Sequence, residues 1–226
     1  MRKKINILRY ISVLILTIMI FTIGIFIGTS VEEARIKNLY NQLSDQNLDY
    51  QNLITENNYI DYLLSENNFN KTNSCKIIKG SYYASIVSLD NSRLKLENYI
   101  NQGKVKLEEF SRLKSFYTNL QINYWITANK INMVCDSNLN SILYFYGDKK
   151  KCPSCEDQGI HLNYVKQKLN DNVLIFSIDV NKKGVVDLLK QKYQINEREL
   201  PIIIINNKIY NFKTNDEIFK ILNISN

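Results

Sequence analysis

Between Tyr10 and Gly28 the chain runs for 19 residues without a charged side chain, mostly through Ile, Leu, Val, Phe and Met. As a helix this run would be about 28 Å long, close to the hydrocarbon thickness of a bilayer. A cleaved signal peptide is the alternative, since Gly28 and Ser30 are small enough for a cleavage site. Its apolar core is usually only about 7–15 residues, so an uncleaved anchor is expected. Arg2, Lys3, Lys4 and Arg9 precede the run, and Glu32 and Glu33 follow it. The positive-inside bias then puts the N-terminus in the cytoplasm and the rest of the chain outside, where disulfides persist. The same four cations carry most of the net charge of +7; without them it is +3. No Lys/Arg stripe interleaved with aromatics remains, so nucleic acid is not an expected partner.

Beyond the anchor, Ile36, Leu39, Leu43, Gln46, Tyr50, Leu53, Asn57, Ile60 and Leu64 follow a 3,4,3,4 spacing without Pro or Gly. That pattern predicts one long helix over Val31–Phe69 with a narrow apolar seam. Gln46 and Asn57 interrupt the seam. They either fix the register of a parallel homodimer or face other helices of the same chain. The same spacing returns after Gly103 in Phe110, Leu113, Tyr117, Leu120, Tyr124, Thr127, Ile131 and Val134, with a shorter helix between, about Tyr82–Ile100, interrupted near Asp90-Asn91-Ser92. Short links make the three helices alternate in direction. Cys75, after the first, and Cys135, ending the third, then fall at the same end. A disulfide between them would close a loop of about 60 residues and contribute about 2–4 kcal/mol; two unpaired buried cysteines are the alternative.

From Asn138 the pattern becomes short apolar runs alternating with helical stretches. Strands are expected at Ser141–Tyr146, Val173–Asp179, Ile202–Ile205 and Lys208–Phe212, and helices at Pro153–Leu169, Gly184–Tyr193 and Asn215–Leu222. Asn206-Asn207 tolerates the positive φ of a tight hairpin, and Asn215 is expected to cap the last helix. The order is βαβαββα, an α/β fold on a four-stranded mixed sheet. Three regions follow: residues 1–30, a basic tip and anchor; 31–137, an extracytoplasmic helical bundle or coiled coil; and 138–226, the α/β domain.

Cys152-Pro153-Ser154-Cys155 lies where the first strand hands over to the first helix of this domain. Sulfurs at i and i+3 share a face of the first turn, and the helix dipole with its unsatisfied N–H groups favours thiolate there. Pro153 suits the first helical position, where its missing N–H removes nothing. Cys152 is expected to be the exposed nucleophile and Cys155 the buried resolving thiol. Lys149, Lys150 and Lys151 would depress the Cys152 pKa or attract anionic partners, or simply form a solvated loop. Glu156 and Asp157 oppose thiolate formation. His161 lies about 180° and 240° around the helix from the two cysteines, which makes it a structural residue rather than a catalytic one.

A strand, Cys-Pro-Ser-Cys at a helix start, and Leu200-Pro201 before a β-hairpin together resemble the thioredoxin superfamily over residues 138–226. The resemblance implies a thioredoxin-like fold, with Pro201 as the cis proline facing the redox pair and the Leu200 backbone pairing with an extended substrate segment. Pro153 and Ser154 then join Leu200 and Pro201 as substrate-contacting residues. Without the resemblance, Pro201 only opens an edge strand. The family's Trp before the first cysteine is Lys151 here, and Tyr144-Phe145-Tyr146 supplies no buried acid. The expected function is that of a membrane-anchored thiol–disulfide oxidoreductase acting on protein thiols and disulfides through Cys152 and Cys155. No organic cofactor and no metal are expected. Two other classes remain: a non-enzymatic helical scaffold that oligomerises or presents a surface, and a zinc site drawing on the four cysteines. With one histidine and no glycine-rich phosphate loop, hydrolytic triads and nucleotide sites find no support.

Overall fold

The computed structural model describes residues 7–65, 71–101 and 106–224, in two compact units, 7–48 and 49–224. Helix α1, Ile7–Ser65, contributes to both. In the first unit, a stretch within Tyr10–Asn38 has a mean hydropathy of 2.7 and none of it is buried by protein, so among the described residues this one helix is long and apolar enough to cross a membrane. Its hydroxyls return to helix carbonyls: Ser12 to Leu8, Thr17 to Val13, Thr22 to Met19, and Thr29 and Ser30 to Phe26. That pairing is what an apolar solvent requires of them.

In the second unit, α2 spans Lys71–Asn101 and α3 spans Leu107–Val134. The expected break at Asp90-Asn91-Ser92 is absent. Arg93 holds Asp90 at 2.7 Å and Glu97 at 2.8 Å along the helix, and Ser92 is buried, so the polar cluster reinforces the helix instead of ending it. The helix also starts earlier than Tyr82, so Cys75 lies on α2 and not in a link before it. Phe69 and Gly103, the expected end and start of flanking helices, lie outside the described residues, as do the side chains of Leu39, Leu43 and Gln46. Contacts of Cys75 with Cys135, Tyr82 with Tyr124, and Tyr99 with Glu109 make α2 and α3 an antiparallel hairpin. The end of α1 runs parallel to α3, Tyr50 against Phe116 and Asn57 against Asn123. The polar interruption of the seam is satisfied within the chain: Asn57 donates to Asn123 at 3.2 Å and accepts from Thr127 and Lys130, each at 3.3 Å.

Four strands follow, β1 (Asn140–Tyr146), β2 (Val173–Asp179), β3 (Ile202–Ile205) and β4 (Lys208–Tyr210), with helices α4 (Ser154–Leu169), α5 (Val185–Lys192) and α6 (Asn215–Ile221). The sheet order is β2-β1-β3-β4, with β1 parallel to β2 and antiparallel to β3. The β3–β4 turn uses Asn206 at φ 49° and Asn207 at φ 67°, the left-handed region that Asn tolerates. The cap of α6 is Thr214, not Asn215. Thr214 and Glu217 form a reciprocal capping box, while Asn215 accepts or donates at His161 Nδ1, 3.0 Å away.

Alternation along β1 divides the core. Ile142 and Tyr144 pack under α4 and α6 through Leu162, Val165, Ile218 and Phe219. Leu143 and Phe145 pack on the other face under α5 and α3, through Val186, Leu189, Ile122, Trp125 and Ala128. The core therefore runs across residues 137/138: α3 is at once the centre of the helical layer and a cover for the sheet. It also shields the edge of β2, where Gln121 accepts from Ser177 N–H at 2.8 Å and donates to its carbonyl at 3.3 Å.

Candidate functional site

Tyr146 ends β1, and seven residues then lead into α4. Leu200 Cδ1 lies 3.1 Å from where a Cβ on Gly147 would stand, so glycine lets the segment before β3 close on this loop. Lys151 and Cys152 N–H groups both return to the Asp148 carbonyl, at 2.8 and 2.9 Å, which turns the chain into the helix. Pro153 already has helical dihedrals, φ −59° and ψ −38°, and is exposed. Cys152 and Cys155 are joined by a disulfide with a Cα separation of 5.4 Å, inside the ordinary range for such a bridge.

Exposure does not distinguish the two sulfurs as expected. Cys152 is 2% exposed and Cys155 6%, so both are buried. Lys149 and Glu156, paired at 2.6 Å, lie at the rim of the cavity that both cysteines line. That cavity is about 340 Å³ and is also walled by Tyr144, Tyr146 and Ser177, at the carboxyl ends of β1 and β2. The Lys149 ammonium is held above its usual range by the Glu156 carboxylate, so of the lysine run this residue is engaged with the helix's first turn.

Two aromatic hydroxyls stand at i and i+2 on the β1 face toward α4. Tyr144 donates to the Cys155 carbonyl, and burial, then the neighbouring Tyr146, pushes its phenol up. Tyr146 is likewise raised by burial, with Lys114 of α3 opposing; the Lys114 ammonium is 5.4 Å from its ring centre. Lys114 also binds Asp179, the last residue of β2, at 2.5 Å. Burial raises Asp179, but Lys114 and the N–H and amide of Asn181 outweigh it, leaving the carboxyl below its usual range. Strand alternation offered a signal for Tyr144. Lys114 and Asp179, 65 residues apart, carried none.

The Leu200–Pro201 peptide is cis. Phe145 pairs with Ile202, so the register brings Pro201 level with Tyr146, at the end of β1 from which the motif departs. Pro201 is buried and Leu200 half-buried. Ser154 opens α4, partly exposed. His161 packs edge-on against Phe212 and ties α4 to Asn215. Cys75 and Cys135 form a second disulfide, Cα atoms 5.2 Å apart, between α2 and the end of α3. The zinc reading is corrected by these pairings: all four sulfurs are consumed in two bridges at opposite ends of β1, so they do not converge on one tetrahedron. Among the described residues no group of three or more His, Cys, Asp or Glu side chains is placed to hold a metal.

No family model matches the chain, and no curated protein matches it. Among solved structures it is similar to a thioredoxin-2 described as a component of the malaria parasite protein secretion machinery. The two are 21% identical, over 41% of this chain and 89% of that one, with a TM-score of 0.33. A second similar structure is a malarial protein, 20% identical over 38% of this chain and 96% of that one, with a TM-score of 0.32.

Proposed function

We propose that the chain is a membrane-anchored, extracytoplasmic thiol–disulfide oxidoreductase whose working pair is Cys152 and Cys155. The observation that carries this reading is a disulfide at the first turn of α4, opening on a cavity at the carboxyl ends of two parallel strands. Position in the chain supports Cys152 as the attacking thiol and Cys155 as the resolving one, roles that exposure leaves open. Cys152 precedes the helix, where the N–H groups of the first turn stabilise its thiolate, whereas Cys155 lies inside the helix with its carbonyl bound to Tyr144. In the reducing direction the Cys152 thiolate attacks one sulfur of a client disulfide, and the other leaves as a thiolate. Cys155 then attacks Cys152 Sγ, releasing the second client thiol and leaving the bridge; two electrons pass to the client. Oxidation of a client runs the same steps backward. Pro153 and Ser154 on one side, and Leu200 and Pro201 on the other, would receive the client backbone.

Arg2, Lys3, Lys4 and Arg9 on one side of the apolar span and two disulfides on the other support an N-terminus in the cytoplasm and the α/β region outside. The test is trapping: Cys155→Ser should accumulate mixed disulfides with client proteins on Cys152, and Cys152→Ser should not. Equal capture by both variants and wild type would favour the scaffold reading.

A further inference from the structure

The second bridge is the more accessible one. Cys75 and Cys135 are both partly exposed, whereas the Cys152–Cys155 pair is buried. The two cysteines border a cavity of about 500 Å³ walled also by Lys76, Lys79, Thr72 and Asp136, with both lysines exposed. It lies where α3 hands over to β1, while the redox motif follows the far end of that seven-residue strand, about 20 Å away along it. A bridge serving only to staple α2 to α3 needs neither an opening nor a pair of ammonium groups beside it.

We propose that Cys75–Cys135 is a second thiol–disulfide exchange site, one that takes a small anionic thiol. The proposal does not rest on the reading of Cys152 and Cys155. The two sulfurs are not equivalent. Cys75 has Lys76 beside it and Lys79 one turn further along the same face of α2, so a thiolate forming there is stabilised. Cys135 caps the carboxyl end of α3 and precedes Asp136, where negative charge is opposed. The bond therefore breaks toward Cys75, because the more stable thiolate leaves faster. An incoming thiolate bonds to Cys135 Sγ, and the electron pair of the S–S bond goes to Cys75 Sγ. A second thiolate then attacks the incoming sulfur, releasing Cys135 and a small-molecule disulfide. Two thiols are oxidised and one protein bridge is reduced. The lysines draw an anionic thiol into the cavity, and opening the bridge frees the paired ends of α2 and α3 around Ile60, Ile78, Ile131 and Val134.

Full-length Cys152→Ser/Cys155→Ser protein in micelles, treated with mercaptoethanesulfonate or with cysteamine at equal thiolate concentration, tests this. The sulfonate should react at least about threefold faster and leave its adduct on Cys135 by peptide mass mapping. Lys76→Gln/Lys79→Gln, or salt near 1 M, where screening acts over about 3 Å, should erase the advantage. Wild-type protein, with the two bridges resolved by mass, serves should the double variant fold poorly. The proposal falls if the bridge opens only as the protein unfolds, if the adduct sits on Cys75, or if the two thiols react alike.

Discussion

Three positions in sequence separate Cys152 from Cys155 and sixty separate Cys75 from Cys135, yet the bridged Cα atoms are 5.4 and 5.2 Å apart. The short bridge owes its spacing to one helical turn and the loop before it. The long one depends on α2 packing along the whole of α3. The short bridge's turn is also held by the Lys151 and Cys152 N–H groups on the Asp148 carbonyl, so its local geometry does not rest on the bridge alone; a long-range bridge restricts the unfolded chain far more. Replacing Cys75 and Cys135 by Ser should therefore cost about 2–4 kcal/mol of stability, and replacing Cys152 and Cys155 roughly half as much. Denaturant unfolding of the full chain in micelles measures both. Equal losses would break the comparison.

The ion pair between Lys114 and Asp179 tests the other long-range tie, that of α3 to the sheet. Its side chains are 25% and 10% exposed, and Lys114→Met would leave the carboxylate buried without its cation, a loss of about 2 kcal/mol. Asp179 is depressed in the folded state. Its contribution is thus present above the unfolded value of about 3.9 and fades as pH falls from there through the folded value. Asp179→Asn should be less stable than wild type at pH 7, and the difference should shrink in acid. A gap that stays constant down to pH 2 would assign the interaction no electrostatic share.

Tyr144→Phe probes the local site. The phenol is buried and raised, so it remains a donor to the Cys155 carbonyl through the range in which thiols titrate. Losing that bond should cost about 1 kcal/mol, since the carbonyl stays buried without its partner. Denaturant unfolding of the oxidised variant would show it, and an unchanged midpoint would mean that the turn relaxes to find another donor.

What could be read from sequence follows the same division. Strand alternation in Ile142–Phe145, the positive-φ pair Asn206-Asn207 and the helix start at Cys-Pro-Ser-Cys are encoded within a few residues, and those segments carry the expected secondary structure. Thr214-Asn-Asp-Glu217 is equally local: Asn215 is itself a favourable cap type, but the reciprocal Thr214–Glu217 spacing places the cap one residue earlier. Leu120, Thr127 and Ile131 marked one seam of α3. Ile122, Trp125 and Ala128 form a second stripe, and it was this face that met the sheet. A narrow heptad template hides such a helix, buried nearly all round between two layers. The burial of Cys152 escaped for a related reason: around the motif Gly147 lies against Leu200 and Glu156 reaches Lys149, contacts that no spacing rule contains.

The smallest predicted effect bears most directly on what controls the local pair. Glu156 follows Cys155, lines the same cavity as both sulfurs and holds Lys149 at 2.6 Å on the exposed rim. Glu156→Gln removes one negative charge from the first turn and leaves the Lys149 ammonium beside the cavity uncompensated. Both changes favour a thiolate on Cys152 once the bridge is reduced, by about two- to threefold in thiolate fraction near neutral pH. The pH profile of alkylation at Cys152 in the reduced protein should shift toward acid, and the shift should weaken as salt screens the rim charges. A profile identical to wild type would mean that rim charge does not reach the sulfur, leaving the backbone N–H groups of α4 as the field that sets its reactivity.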